Sequence, residues 1–374
     1  MLNYITTGES HGQYLATILE GMPSGLEVDL EFINGQLRLR QQGYGRGGRQ
    51  KIETDEVKIM GGVVKGKTTG APIGFVLFNK DFKIETMPEL FRPRPGHADL
   101  VGSLKYNQGI RPVLERASAR ETAMRVAVGA LCRVFLKEFG IEVESHVVGI
   151  GAVQVPFEDK LSAQDIRKKI ADSDLRCISP EKEKQMRAAI DEARRKKDTL
   201  GGVYEVRVSG VPIGLGSHVH YERKLDGRLA QHLMGMQSVK AVEIGYGTRA
   251  GEVFGSEAHD EIFYDKKKGY YHETNRAGGI EGGTSNGAEI VVRATMKPIS
   301  TLAQPLASVN MATKKAEKAD FERSDTCAVA AGSVIGASIA AYVIADAFLE
   351  KFGGDSVAEI ERNYQGYLKQ IRES

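Results

Sequence analysis

With 374 residues, 51 basic against 49 acidic side chains and a 41% hydrophobic composition, the chain can bury a large core and carries no overall field that would draw it to nucleic acid or a membrane. Its three cysteines, Cys132, Cys177 and Cys327, are widely spaced and form no CxxC pair, which argues against a disulfide framework or a cysteine metal centre and fits a reducing cytoplasm. Met1 runs straight into Leu-Asn-Tyr-Ile-Thr-Thr, without the basic-then-apolar pattern of a signal peptide.

In chain order, β-branched runs bounded by Gly or Pro predict strands over 2–6, 57–64, 73–78, 143–150, 202–208 and 288–292. Apolar residues at three- and four-residue spacing predict helices over 31–41, 119–139, 163–173, 181–197, 227–242, 325–352 and 356–372. Strands often follow strands directly, so the expected class is α+β with antiparallel sheets rather than a doubly wound parallel sheet. No linker divides the chain, and residues 1–374 are expected to form a single domain. The polar segment 181–197 reads as an exposed, ion-paired helix. Residues 328–345 are uncharged and about as long as a bilayer requires. Small residues dominate them, however, Asp325 and Asp346 bracket them, and no aromatic or basic belt flanks them. A central helix packed by neighbours or by another subunit is the expected reading. One echo joins Gly61-Gly62-Val63 and Gly70-Ala71-Pro72-Ile73-Gly74 to Gly201-Gly202-Val203 and Gly210-Val211-Pro212-Ile213-Gly214. It implies two hairpins of one design and a duplicated half, against the plainer reading that turns everywhere demand Gly and Pro.

Chemistry-bearing residues fall in short clusters. Gly8-Glu9-Ser10-His11-Gly12 sets a hydroxyl and an imidazole between glycines, where backbone can approach a ligand closely; a strand-ending turn is the plain alternative. Arg38, Arg40, Arg46 and Arg49, the last two within Gly43 to Arg49, suit phosphate or carboxylate, because guanidinium presents a fork of donors and Gly lets a loop wrap an anion. The rival reading is an RGG-like nucleic-acid tract, which needs longer repeats. Prolines stiffen Arg92-Pro93-Arg94-Pro95-Gly96-His97-Ala98-Asp99. Arg116-Ala117-Ser118-Ala119-Arg120-Glu121-Thr122 reads as a helix start capped by Ser118, with Arg116 and Arg120 crowded where an anion would sit. Further on come the glycine-dense Asn275 to Gly287, then Lys297-Pro298-Ile299-Ser300-Thr301, then Arg323-Ser324-Asp325.

Taken together and in order, Gly8 to Gly12, Gly43 to Arg49, Arg92 to Asp99, Glu115 to Thr122, Asn275 to Gly287, Lys297 to Thr301 and Arg323 to Cys327 resemble the chorismate synthase family. Its members are lyases that eliminate phosphate 1,4-anti from 5-enolpyruvylshikimate 3-phosphate, the last common step of the shikimate pathway to aromatic amino acids. Small departures are Ala241, where Gly is expected, and a short connection between Phe78 and Arg92. The resemblance implies reduced FMN as cofactor, with NADPH only an indirect source of electrons. It also implies a β-α-β sandwich with a helical layer between two antiparallel sheets, a cytoplasmic homotetramer and no metal.

By the same resemblance His11 would serve the departing phosphate, His97 would stabilise the reduced flavin and Asp325 would help remove a proton at flavin N5, with Ser10 and Ser118 tuning hydrogen bonds. Arg40, Arg46, Arg49, Arg94, Arg120 and Arg323 would neutralise the substrate. Arg116, Ala117, Ser118, Gln237, Ser238, Gly282, Lys297, Pro298, Ile299, Ser300, Thr301 and Arg323 would hold FMN. His146, His218, His220, His232, His259 and His272 are expected to be structural or exposed. The competing readings are a binder of phosphorylated polymers and a flavin oxidoreductase.

Overall fold

Two antiparallel sheets and two long helices carry the architecture. A computed structural model describes residues 1–48, 54–158, 161–267, 269–322 and 324–374. Strands β1 (Asn3–Thr7), β2 (Tyr14–Glu20), β3 (Val57–Gly61) and β4 (Ile73–Phe78) form the first sheet in the order β1-β2-β4-β3. Strands β5 (Glu142–Ile150), β6 (Gly202–Ser209), β7 (Val239–Ile244) and β8 (Ile290–Met296) form the second in the order β7-β8-β6-β5, with Val153–Gln154 added at the β5 edge. Helix α1 (Leu30–Gln41) connects β2 to β3. Between β4 and the second sheet lie α2 (Asp99–Tyr106), α3 (Ile110–Ala117) and α4 (Thr122–Lys137). Helices α5 (Ala163–Lys169) and α6 (Pro180–Arg195) precede β6, α7 (Leu225–Met234) connects β6 to β7, and α8 (Val329–Phe352) and α9 (Val357–Glu373) close the chain.

Both sheets follow one plan. Leaving aside the interposed segments, each runs strand, strand, helix, strand, strand, helix, and each shifts register on its third strand, at Ile59/Gly61 and at Val239/Ala241. The sequence echo does not mark this repeat. Its first copy brackets the connection between β3 and β4, whereas its second brackets the single strand β6, so the expected pair of like hairpins is corrected. The shared spacing reflects turn chemistry at strand ends rather than equivalent positions.

Helices α4 and α8 pack on each other; α4 also touches β1 and β2, while α8 touches β5 and β6. Gly129 of α4 lies so close to α8 that a Cβ there would sit 2.2 Å from the Ser338 carbonyl oxygen. Ser333 and Ser338 bond back to Ala330 and Val334 carbonyls of their own helix, so small polar residues sit in the core without orphaned hydroxyls. By length and composition α8 could cross a membrane, but 94% of its most apolar stretch is buried inside the chain. Cys132, Cys177 and Cys327 are buried and unpaired, and burial pushes the Cys327 thiol up to about 11.

Several elements differ from the periodicity reading. Strand β2 escaped it because Leu15 and Leu19 face the core while Tyr14 and Ile18 are apolar and exposed, so its alternation is masked. The helix expected over 227–242 ends at Met234; Ser238 is left-handed, and the apolar spacing then continues into β7. Residues 110–117 are already helical, and Ser118 caps the short turn at 119–121 that leads into α4. On the face of the second sheet away from α8, His146, Glu205, Arg293 and Glu243 form one cross-strand row. Glu205 accepts from His146 Nε2 at 3.1 Å, Arg207 Nε at 2.7 Å and Arg293 Nε at 2.8 Å, beside a cavity of about 150 Å³.

Two outcomes test these contacts. Mid-helix Gly→Ala ordinarily stabilises, but Gly129→Ala should cost about 1–3 kcal/mol in denaturant unfolding because backbone blocks the methyl; unchanged or higher stability would contradict the close approach. Burial alone would push the Glu205 carboxyl up, yet the His146 hydrogen bond and the charges of Arg207 and Arg293 prevail and hold it at about 2, against 4.5 ordinarily. The native state therefore binds fewer protons than the unfolded chain, so stability is present above pH 4.5 and drains as the pH falls towards 2. Glu205→Gln should lose on the order of 3 kcal/mol at neutral pH and flatten that acid limb. An unaltered acid limb in pH-dependent unfolding would remove Glu205 from the account.

Candidate active site

A cleft of about 1040 Å³ opens where the two halves of the topology meet. It is lined by the C-terminal ends of α1 and α7 or the residues just beyond them, the exits of β4 and β8, and the entries to α4 and α8. Two helix N-termini thus bring their positive ends to one place, and no side chain caps α8 among the described residues. Eight lysines and arginines line the cleft against three carboxylates, so although the chain as a whole is nearly neutral, this site favours anions.

The loop after β1 carries Ser10 and His11 into the cleft. His11 Nδ1 lies 3.0 Å from both oxygens of Glu115, and its backbone N–H donates to Glu115 Oε2 at 2.8 Å. Burial alone would push the Glu115 carboxyl up, but the bonds from His11 and the charge of Arg111 hold it below its ordinary range. Ser118 Oγ donates to Ser10 Oγ at 3.1 Å, joining that loop to the α3–α4 junction. His97 makes a parallel pair, with Nδ1 2.5 Å from Asp99 Oδ1. Burial opposes ionisation of Asp99 as well, but hydrogen bonds from His97 and Arg94 bring its carboxyl far below the usual range.

The arginines divide by how far the protein itself uses them. Arg120 Nη1 reaches both Asp55 oxygens at 2.7 Å, while its Nε and Nη2 donate to Asn79 Oδ1. Arg40 donates to Thr122 Oγ1 at 3.0 Å and the Ala119 carbonyl at 2.8 Å, with Asp55 3.4 Å away. Burial pushes Arg40 down to about 10. Arg94 binds Asp99 through Nε and Nη2 and Thr301 through Nη1, bracing the proline-rich loop against the exit of β8. Arg46 pairs with Asp325 at 2.9 Å, and its buried Nε has no partner among the described residues. Lys297 holds the Gly96 carbonyl and reaches Ser300 Oγ at 3.2 Å; burial first and Lys240 second push it down. Gly96 has φ +77, and a Cβ there would meet Lys297 Nζ and Ser300 Oγ at 3.4 Å, so the turn that seats these groups calls for glycine.

Of the residues singled out from sequence, Ser10, His11, Arg40, Arg46, Arg94, His97, Ala117, Ser118, Arg120, Gln237, Ser238, Lys297, Ile299, Ser300, Thr301 and Asp325 line this one cleft, with Pro298 inside its segment. Arg49 and Arg323 lie outside the described residues. Arg116 donates to the Thr6 and Gly8 carbonyls and does not line this cleft. Gly282 sits in the turn between Ile280–Glu281 and Thr284–Ser285, which docks by Gly283 on Leu225; no residue of 275–287 lines the cleft. Sequence reading passed over Asp55, Asn79, Lys80, Asp81, Lys83 and Lys240, and assigned no role to Asp99 or Glu115. Glu115 meets His11 across 104 residues, a pairing no local pattern encodes, whereas Asp99 was legible two positions after His97.

An α+β chain whose cationic cleft holds two carboxylate-bound histidines is built as an enzyme for anionic substrates. The family model described as chorismate synthase matches residues 2–349. The chain is 50% identical to the chorismate synthase of Alkaliphilus oremlandii, with all of both chains covered, and 48% identical to that of Aquifex aeolicus over 99% of this chain and 98% of the relative. A crystal structure of chorismate synthase superposes with a TM-score of 0.84 at 42% identity, covering 100% of this chain and 99% of the other. The chain belongs to the chorismate synthase family, lyases that use reduced flavin and form chorismate at the final shikimate step.

Asp55→Asn should expose the cost of the buried pairs. Leaving two guanidiniums without their shared counter-charge is expected to destabilise by about 3–5 kcal/mol, measured by chemical denaturation. A loss below about 1 kcal/mol, the level of a surface ion pair, would show that Arg40 and Arg120 do not depend on it.

Proposed function

We propose that the chain converts 5-enolpyruvylshikimate 3-phosphate into chorismate and phosphate by 1,4-anti elimination, with reduced FMN bound in the cleft. The observation that carries this reading is one cationic cleft containing two histidines, each gripped through Nδ1 by a buried carboxylate. The residues suit a flavin. Ala328, Ala331 and Gly332 offer a small-residue wall beside Met234, Met236 and Met296 that a planar ring can lie against. Gln237 Oε1 and Arg46 Nε are buried polar atoms without partners among the described residues, as expected where a ligand completes the bonding.

When bound, reduced FMN supplies electron density as phosphate leaves and recovers it as the ring hydrogen departs, so no net redox change accrues. The chain's own work is binding, orientation and proton handling. Ala117, Ser118, Gln237, Ser238 and Lys297 to Thr301 would hold the flavin, with Arg116, Gly282 and Arg323 completing the set that the family resemblance implies. Arg46, backed by Arg40 and Arg120 and joined by Lys80 and Lys83, neutralises the phosphate and carboxylates, together with Arg49 and Arg323. Arg94 acts as a brace. His11 gives a proton or hydrogen bond to the departing phosphate, His97 would stabilise the reduced flavin, and Asp325, steadied by Gly47 N–H at 2.6 Å and by Arg46, would be the carboxylate that takes up a proton on the flavin side. Electrons reach the flavin from outside, with NADPH only their indirect source.

The same reading extends to assembly. Residues 1–374 form one domain of two related halves, a β-α-β sandwich with α4 and α8 between the sheets; the matching strand orders support it. The assembly read from the family resemblance is a cytoplasmic homotetramer; the outer face of the first sheet, where Ile5, Ile18, Tyr14 and Phe78 are exposed, is an apolar surface of the kind that subunits cover and supports the contact between subunits.

The test is anaerobic phosphate release from the enolpyruvyl substrate with and without photoreduced FMN. Release should require reduced flavin without consuming it stoichiometrically; stoichiometric consumption would instead indicate an oxidoreductase. His11→Ala and His97→Ala should each lower turnover by about 10²–10⁴-fold, with flavin binding less affected. Near-wild-type release would remove that histidine from the chemistry.

A further inference from the structure

We propose that Glu115 is a positioning residue for the elimination, holding the His11 ring by Nδ1 so that Nε2 is presented to the leaving phosphate. The inference rests on the role given to His11 above. His11 lies between β1 and β2 and belongs to neither strand, so its ring is fixed by side-chain contacts rather than by strand pairing. One carboxylate does so twice, taking the backbone N–H at 2.8 Å and the ring Nδ1 at 3.0 Å. A carboxylate held below its ordinary range is an acceptor only, so Nδ1 carries the hydrogen and Nε2 is the nitrogen turned from Glu115.

Glu115 itself is fixed from behind. Its side chain is fully buried on α3, with Arg111 one helical turn back at 3.5 Å. Arg111 is anchored in turn to the Pro88 carbonyl at 3.0 Å and to Glu322 at 3.1 Å. The Glu115 carbonyl also accepts the Ser10 N–H at 3.1 Å, so helix and loop are joined at adjacent residues. His11 lines the cleft and Glu115 does not, which leaves Glu115 no route to the substrate except through the imidazole. The charged groups sharing His11's part of the cleft, Lys80, Asp81 and Lys83, come from the loop whose Lys83 N–H donates to the His11 carbonyl. The Lys83 and Ile84 N–H groups tie the main chain of His11, whereas Nδ1 is bonded to Glu115.

Glu115→Gln preserves shape but replaces a pure acceptor with a group that can also donate, and so admits the wrong tautomer. It is expected to lower kcat by about 10–100-fold, as loss of an orienting partner does elsewhere, with substrate KM little changed. In a His11→Ala background the same change should cost nothing further, because two residues acting as one unit are not additive. Full additivity, or wild-type kcat in the single variant while His11→Ala is impaired, would overturn the positioning role alone. Wild-type release by His11→Ala would instead overturn the role of His11. Nitrogen-15 NMR of histidine-labelled wild-type protein decides even if the variant does not fold: a protonated Nδ1 on His11 supports the proposal, and a bare Nδ1 ends it.

Discussion

The close contact between α4 and α8 is the constraint on which the rest depends. Each helix is the last element of one sheet's topology, so their contact joins the two sheets, and Gly129 against Ser338 sets how near they come. Because the two helices enter the cleft by their N-terminal ends, that packing also brings two positive helix ends to one place. A bulkier residue at 129 would therefore disturb the site as well as the core. The same demand for nearness explains why α8 is rich in Ala, Gly and Ser: Gly336 passes the Tyr204 ring, and Gly332 the Met296 thioether, so closely that a Cβ would force those side chains to move.

Around that frame the charges are arranged in layers. Cations face the cleft, while the carboxylates that hold them, Asp55, Asp99 and Glu115, are almost entirely buried. Asp99 and Glu115 are held below their ordinary range because their hydrogen-bond and charge partners outweigh the cost of burial. Arg40, Arg94 and Arg120 are thereby committed to protein groups, and Arg46 is left with an open donor. A site organised this way presents positive charge without requiring long side chains to be ordered when the ligand arrives.

Much of this was legible in the sequence, for local reasons. Helices such as α6 and α9 announce themselves because capping and apolar spacing are written in adjacent residues, and the polar clusters stand out because glycine and proline surround them. Strand β2 did not, since Tyr14 and Ile18 put apolar groups on its exposed face as well. The end of α7 did not either, because Val239 continues the helical spacing after the chain has already turned at Ser238. The carboxylates behind His11 and the arginines look, one by one, like ordinary surface acids.

By itself, then, the sequence determined the class of fold, the order of the anion-handling segments and the family they resemble, because each of these is carried by short-range pattern. Only the tertiary structure decided which members of those segments share a cleft: it brings Ser10, His11, Arg46, His97 and Asp325 together, turns Arg116 to the Thr6 and Gly8 carbonyls and leaves Gly282 on a separate hairpin. The reason is that a charged side chain's partner is chosen by burial and distance in space. Glu115 meets His11 across 104 residues and Asp55 meets Arg120 across 65, separations over which no local pattern constrains the pairing.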